Sequence, residues 1–164
     1  MPTPIVSHKD EFQEIINKCI VSMRDIHTSQ IKLCEHLEEV ADSLPKNINK
    51  QYCLHLARSI FPMIKSAHEI EEQEFFPILE KVKPEDVSLA ASIERLRYEH
   101  CEDECSAEDV TTVLFECGQY GAVKNPERAG YILRTFFAGV RRHIAFEREY
   151  LLPMAERALK NTAS

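Results

Sequence analysis

The sequence predicts an all-α fold, an up-down-up-down four-helix bundle. Three observations predict it. Only 4 of the 164 residues are glycine, which disfavours turn-rich β folds. Apolar residues recur at three- and four-residue spacing over long stretches, and no stretch sustains a period-two alternation. The breaks between these stretches are short, and long helices joined by short connections pack as antiparallel neighbours.

The first helical segment runs from about Lys9 to Leu44 and stops at "SLPKN", with residues 1 to about 20 as a candidate lead-in helix. The second runs from about Ile48 to Val82 and stops at "KVKPED". The third starts at Pro84, because proline suits a first helical position and Glu85 and Asp86 suit the positive end of the helix dipole. It fades at "CGQYGAVKNP", and the fourth starts near Pro126 behind the N-cap Asn125 and reaches about Leu159. Pro62 and Pro153 lie inside helical segments and are expected to kink or break them. The chain reads as one domain over residues 1–164 with its core at about 20–160; no linker or low-complexity tract divides it.

Lys and Arg total 20 against 27 Asp and Glu, a net charge of -7, which argues against a nucleic-acid footprint. The basic residues alternate with acidic ones, so no polybasic membrane anchor is present. No apolar run approaches the roughly 20 residues of a membrane span, and "MPTPIVSHKDEF" does not read as a signal peptide. A cytoplasmic location is therefore expected, with the six cysteines as reduced thiols. They form no CxxC pair, and Cys101 and Cys105, which share a helix face, are expected to be packing thiols.

The histidines carry the chemistry. On the first segment His27 falls in the stripe Phe12, Ile16, Met23, Ile31, Cys34, Leu37. On the second, His68 falls in the stripe Ala57, Phe61, Ile64, Phe75, Leu79. On the third, Leu89, Ile93 and Leu96 lead to His100, and on the fourth Leu133, Phe136, Val140, Tyr150 and Met154 bracket His143. His36 is nine residues from His27 and His55 thirteen before His68, roughly 180° and 140° round their helices, so both should face solvent. A single core-facing histidine is usually an ordinary satisfied core residue. One on each of four helices is different, because several unpartnered imidazoles and carboxylates in an apolar core would cost several kcal/mol. A metal centre removes that cost.

Glutamates complete the set. Glu72 follows His68 by four residues and Glu147 follows His143 by four, so each pair projects into the same space. Two pairs and two lone histidines give six ligands, His27, His68, Glu72, His100, His143 and Glu147. Six mixed nitrogen and oxygen donors suit two first-row metals bridged by the two glutamates. They are too many for one tetrahedral zinc and too rich in nitrogen for calcium or magnesium. Iron leads, ahead of manganese or zinc.

Taken together, "DIHTSQI", "HEIEEQEFFP", "YEH" and "HIAFEREYLLP" resemble the motifs of the hemerythrin-like family of HHE cation-binding domains, over roughly residues 20 to 160. The fourth motif is the most specific, with histidine, glutamate at +4 and proline at +10. The resemblance implies a four-helix bundle around a non-haem di-iron centre, two irons joined by an oxo or hydroxo bridge. It carries the ligand roles to the same six residues, with Glu72 and Glu147 bridging. It also implies oxygen, nitric oxide or peroxide as a small ligand.

The sequence departs from the pattern in two places. In "HEIEEQEFFP" alignment on the histidine selects Glu72, whereas alignment on Pro77 selects Glu71 and puts Ala67 in the histidine position; a turn of altered pitch would reconcile them. Glu72 is preferred, and Glu69 and Glu71 stay open. In oxygen-carrying members the third helix supplies two histidines four apart; here His100 is followed at +4 by Glu104, which is either an extra ligand or leaves that position open. The added carboxylate favours ferric iron over reversible oxygen carriage. The ferritin-like signature Glu-x-x-His is absent, since no histidine has a glutamate three residues before it.

Three functions fit the sequence. One is a di-iron protein that binds or senses oxygen, nitric oxide or redox state. Another is a di-iron enzyme that decomposes peroxide or repairs iron centres, with His27, His100 and Glu104 on the open side. The last is an interaction module with a structural metal. No phosphate-binding glycine loop or nucleophile-base pair is visible, and no protein partner can be named from the residues.

Overall fold

The computed structural model describes residues 8–162. Four helical rods follow one another, two of them interrupted by a single wide turn. They are α1 (His8–Ser43), α2 (Lys50–Ile70) continued by α3 (Phe76–Val82), α4 (Val87–Tyr120), and α5 (Pro126–Phe146) continued by α6 (Leu152–Thr162). Five-residue π turns, Glu71–Phe75 and Glu147–Leu151, join α2 to α3 and α5 to α6. There is no strand among the described residues.

Side-chain caps fix the starts. Asn49 Oδ1 accepts from Tyr52 N at 3.1 Å, Asp86 Oδ1 from Leu89 N at 2.9 Å and Asn125 Oδ1 from Arg128 N at 3.0 Å. The third rod thus begins at Val87 behind Asp86 rather than at Pro84, because the carboxylate supplies the cap that proline cannot. α4 ends at Gly121, whose φ of 68° is left-handed and whose N–H bonds Cys117 O at 2.9 Å. The expected lead-in helix is not a separate element: from His8 onward those residues belong to α1, and residues 1–7 lie outside the described ones. Pro62 does not break α2; it sits exposed in the continuous helix.

α1 packs on α2 and α5, α2 on α4, and α4 on α5, which closes a four-membered ring. α4 approaches α2 closely at Gly118, where a Cβ would stand 2.5 Å from Leu54 Cγ.

The apolar interior is split into two. One cluster, including Leu37, Ile60, Leu114 and Leu133, fills the end nearer the α4 C-terminus. The other, including Ile16, Met23, Phe75, Leu79, Leu96 and Leu151, fills the opposite end. Between them lies a layer of buried polar side chains. All six cysteines are free; Cys101 and Cys105 are exposed on α4 and do not pack as expected.

Candidate metal centre

The polar layer is made of His27 on α1, His68 on α2, His100 on α4, His143 on α5, and Glu71 and Glu147, the first residues of the two π turns. Each is more than nine-tenths buried, and His27, Glu71 and Glu147 are wholly so. His36 and His55 face solvent, as their positions round the helix predict.

His143 stands at the middle. Its Nε2 lies 3.5 Å from Glu71 Oε2 and 3.7 Å from Glu147 Oε1. On one side of it His100 Nε2 lies 2.8 Å from Glu71 Oε2, a close approach that is not angled as a hydrogen bond. On the other side His27 Nε2 and Glu147 Oε2 are hydrogen-bonded at 2.8 Å. His68 stacks on His100, with ring centroids 3.9 Å apart.

Seven buried donor or acceptor atoms of this layer have no hydrogen-bond partner: His27 Nδ1, both oxygens of Glu71, His100 Nε2, both nitrogens of His143, and Glu147 Oε1. A folded protein leaves few such atoms, and each unpaired one costs about 1–3 kcal/mol or more. One donor atom each from Glu71, His100 and His143 lie within 4.8 Å of one another, within reach of a single cation. Imidazole nitrogens and carboxylate oxygens form a donor set that fits a first-row transition metal.

An outer row of acids backs the imidazoles. His100 Nδ1 meets Glu72 Oε1 at 2.6 Å and His68 Nδ1 meets Glu104 Oε1 at 3.2 Å. His143 Nδ1 lies 3.7 Å from Asp103 Oδ2 and 3.8 Å from Glu99 Oε2. Glu72 and Glu104, which are within hydrogen-bond reach, hold the outer nitrogens of His100 and His68 as N–H and leave the inner ones free to ligate. The electrostatics divide the ring. Burial pulls the His143 pKa down, but Glu147 and Glu71 outweigh it and raise it to about 11. Burial also opposes ionisation of Glu71, yet His100 and His143 hold it well below the usual carboxylate range. Burial and the neighbouring His100 push His68 down to about 4.

Five of the six residues expected at the site meet in this layer. The sixth place is held by Glu71 rather than Glu72, whose side chain is 40% exposed and bonds the outer face of His100. The reason is the π turn that starts at Glu71, which alters the helical pitch there. Glu69 is exposed, and Glu104 backs His68 without entering the layer. The second π turn has a parallel effect on α6: Leu151, Leu152 and Ala155 are buried, whereas Tyr150, expected in the core, is 59% exposed. Glu99 and Asp103 were not foreseen, because nothing in the sequence separates them from the solvated acids around them.

The model of the hemerythrin HHE cation-binding domain matches residues 20–155. The chain belongs to this family. Neither curated proteins nor solved structures gave a match. Membership in the hemerythrin HHE family accounts for the unpartnered atoms, since they are the donors a cation would take up. The family match reaches into all four rods and includes every member of the polar layer. Within this hemerythrin-like domain, no helix among the described residues is long and apolar enough to cross a membrane.

Proposed function

We propose that the protein is a non-haem di-iron protein that binds or senses oxygen, nitric oxide or redox state at the polar layer, and that it works in the cytoplasm. The observation that carries this reading is the set of seven unpartnered buried donor atoms between two apolar clusters. His27, His68, His100 and His143 would be terminal ligands, and Glu71 and Glu147 would be the carboxylates shared between two ions. Two ions rather than one are favoured because the donors form two groups, His27 with Glu147 and His100 with Glu71, that meet at His143. The imidazole and carboxylate set suits iron, and manganese or zinc would be accepted less well.

Iron held there supplies one-electron redox chemistry and a coordination position for a small ligand. The protein's own residues do the rest. Glu72 and Glu104 orient His100 and His68 through their outer nitrogens. Phe75, Phe76 and Leu96 on one side and Ile64 and Val140 on the other keep bulk water from the layer.

The test is metal analysis of purified protein together with its optical spectrum before and after oxygen is added. About two irons per chain and a spectrum that responds to oxygen are expected. Peroxide turnover well above that of free iron would assign the centre to an enzyme. Metal-free protein whose melting is unchanged by His143→Ala would overturn the metal reading altogether.

A further inference from the structure

Between α4 and α5 a cavity of about 280 Å³ reaches from the surface to His143. Three carboxylates, Glu99, Glu102 and Asp103, line it, against the two guanidinium groups of Arg95 and Arg142. One of the guanidiniums is engaged: Arg95 Nε lies 3.4 Å from Glu99 Oε1 and its head lies over the Phe146 ring at 5.0 Å. That pairing leaves Glu99 Oε2 on the inner side, 3.8 Å from His143 Nδ1. Asp103 Oδ2 stands 3.7 Å from the same nitrogen.

His143 is the wall between this cavity and the polar layer. Its side chain is 7% exposed, its Nε2 faces Glu71 and Glu147, and its Nδ1 faces Asp103 and Glu99. That Nδ1 is buried and has no hydrogen-bond partner. A lone acidic cluster at a surface is usually just solvated. Here the acids surround a buried, unpartnered imidazole nitrogen.

We propose that this cavity is a capture site for divalent cations, with Asp103, Glu99 and His143 Nδ1 as its donors, through which the inner centre is loaded. The inference rests on the metal reading above. A neutral imidazole has one N–H, so it offers an unprotonated nitrogen to only one side at a time. When Nδ1 holds a cation, the proton sits on Nε2, towards Glu71. When Nε2 ligates inside, the proton sits on Nδ1, towards Asp103 and Glu99. Occupancy of His143 from the two sides is therefore mutually exclusive, and the outer site is transient, a step in loading. No electron moves; the His143 imidazolium releases one proton to solvent as Nδ1 takes the cation, and as the cation passes inward the remaining proton leaves Nε2 and one is taken up at Nδ1. Carboxylates at the mouth of a cleft also raise the local concentration of a cation and its rate of arrival.

The test uses cobalt(II) alone as probe, added to metal-stripped full-length protein and followed by the absorption of the bound ion. The double variant Glu99→Gln/Asp103→Asn is expected to load about tenfold more slowly and to reach the same final number of ions per chain. The control Glu35→Gln/Glu108→Gln removes the same charge from exposed positions elsewhere and is expected to load at the wild-type rate. Equal rates for the two double variants overturn the proposal. A lower final occupancy with an unchanged rate also overturns it, because the acids would then only orient His143. Wild-type protein that takes up no cobalt overturns the metal reading itself. Circular dichroism checks that each variant keeps its helices.

Discussion

Glu71 and Glu147 occupy the same place in two different helices: each is the first residue of a five-residue π turn, and each stands six residues before a proline. In both, the glutamate carbonyl accepts from the N–H five residues on, Phe76 N in the first turn and Leu152 N in the second. The prolines explain the register. In an unbroken α-helix the Pro77 ring would press on the Gln73 carbonyl and offer it no N–H. One extra residue in the turn relieves the clash and places Pro77 and Pro153 near the start of a fresh helix, where a missing N–H costs nothing. The carboxylate at the head of each turn is thereby directed into the core.

This register predicts different outcomes for two adjacent glutamates. Glu71→Gln removes the buried acid between His100 and His143 and is expected to lower the number of ions bound per chain. Glu72→Gln removes only the outer partner of His100; it should keep the number of ions and weaken affinity by about 10- to 100-fold. Metal analysis and competition with a chelator separate the two. Retention of full occupancy by Glu71→Gln, with loss in Glu72→Gln, would reverse the assignment.

The prolines are expected to differ as well. Pro62, itself exposed, removes one bond from the hydrogen-bond ladder of the continuous helix α2 and shapes no π turn. Pro62→Ala should stabilise the protein by about 1–3 kcal/mol and leave metal content alone. Pro153→Ala lets the second π turn relax towards α-helix and rotates Glu147 away from His27, so metal affinity should fall. Urea denaturation and metal analysis on the two variants give the comparison; equal metal loss in both would mean that proline does not hold the register.

How much of this was legible in the sequence follows from the range of the forces involved. Helix ends were readable at Asn125 and near Asp86 because capping is local. The facing of His27, His68, His100 and His143 was readable because regular helical periodicity places residues over several turns. The identity of the second carboxylate was not, because one π turn shifts everything beyond it by a residue. The signal that would have found it was present: glutamate to proline is six residues in both motifs, whereas histidine to glutamate is three at His68 and four at His143. Ala67 stands where the register-matched histidine would be, and His68 reaches the layer from the next position. Tyr150 was misplaced for a parallel reason. The outer acids Glu99 and Asp103 were illegible because their role depends on contacts between α4 and α5, which no local pattern encodes.

The metal-stripped protein should lose stability as pH falls from about 6.5 to about 4.5, and His68 is the reason. Its folded pKa is depressed to about 4 from an ordinary 6.5 by burial and by His100. Between those values the unfolded chain binds a proton that the folded chain does not, so stability drops as the solution is acidified. His100 and His143 are shifted upward, so their contributions are complete below pH 6.5 and are lost only on the alkaline side. The contribution of Glu71, whose pKa is lowered, is lost only below about 4.5. In the window from 4.5 to 6.5 the loss on acidification comes from His68, with at most about 3 kcal/mol at stake, while Asp103, whose carboxyl pKa burial raises, acts in the opposite direction. Urea midpoints across this window should slope for the wild type and flatten for His68→Gln. Parallel slopes would assign the effect to other groups.

Loading and packing should act as separable contributions, because the polar layer and the apolar clusters are different parts of the core. Saturation at about a hundredfold excess over Kd adds about 2.7 kcal/mol of stability, which for a chain of this length raises Tm by roughly 5–10 °C. Leu114 is fully buried in the cluster nearer the α4 C-terminus. Leu114→Ala should cost about 2–5 kcal/mol through lost burial and a residual cavity. It touches no member of the polar layer through the chain's local geometry, since it lies fourteen residues, about four helical turns, beyond His100. The variant should therefore melt lower both with and without metal, by a similar amount, and bind the same number of ions. If instead the Tm increment on loading disappeared in Leu114→Ala, the two parts of the core would be coupled, and the layer would depend on the packing of the distant cluster for its shape.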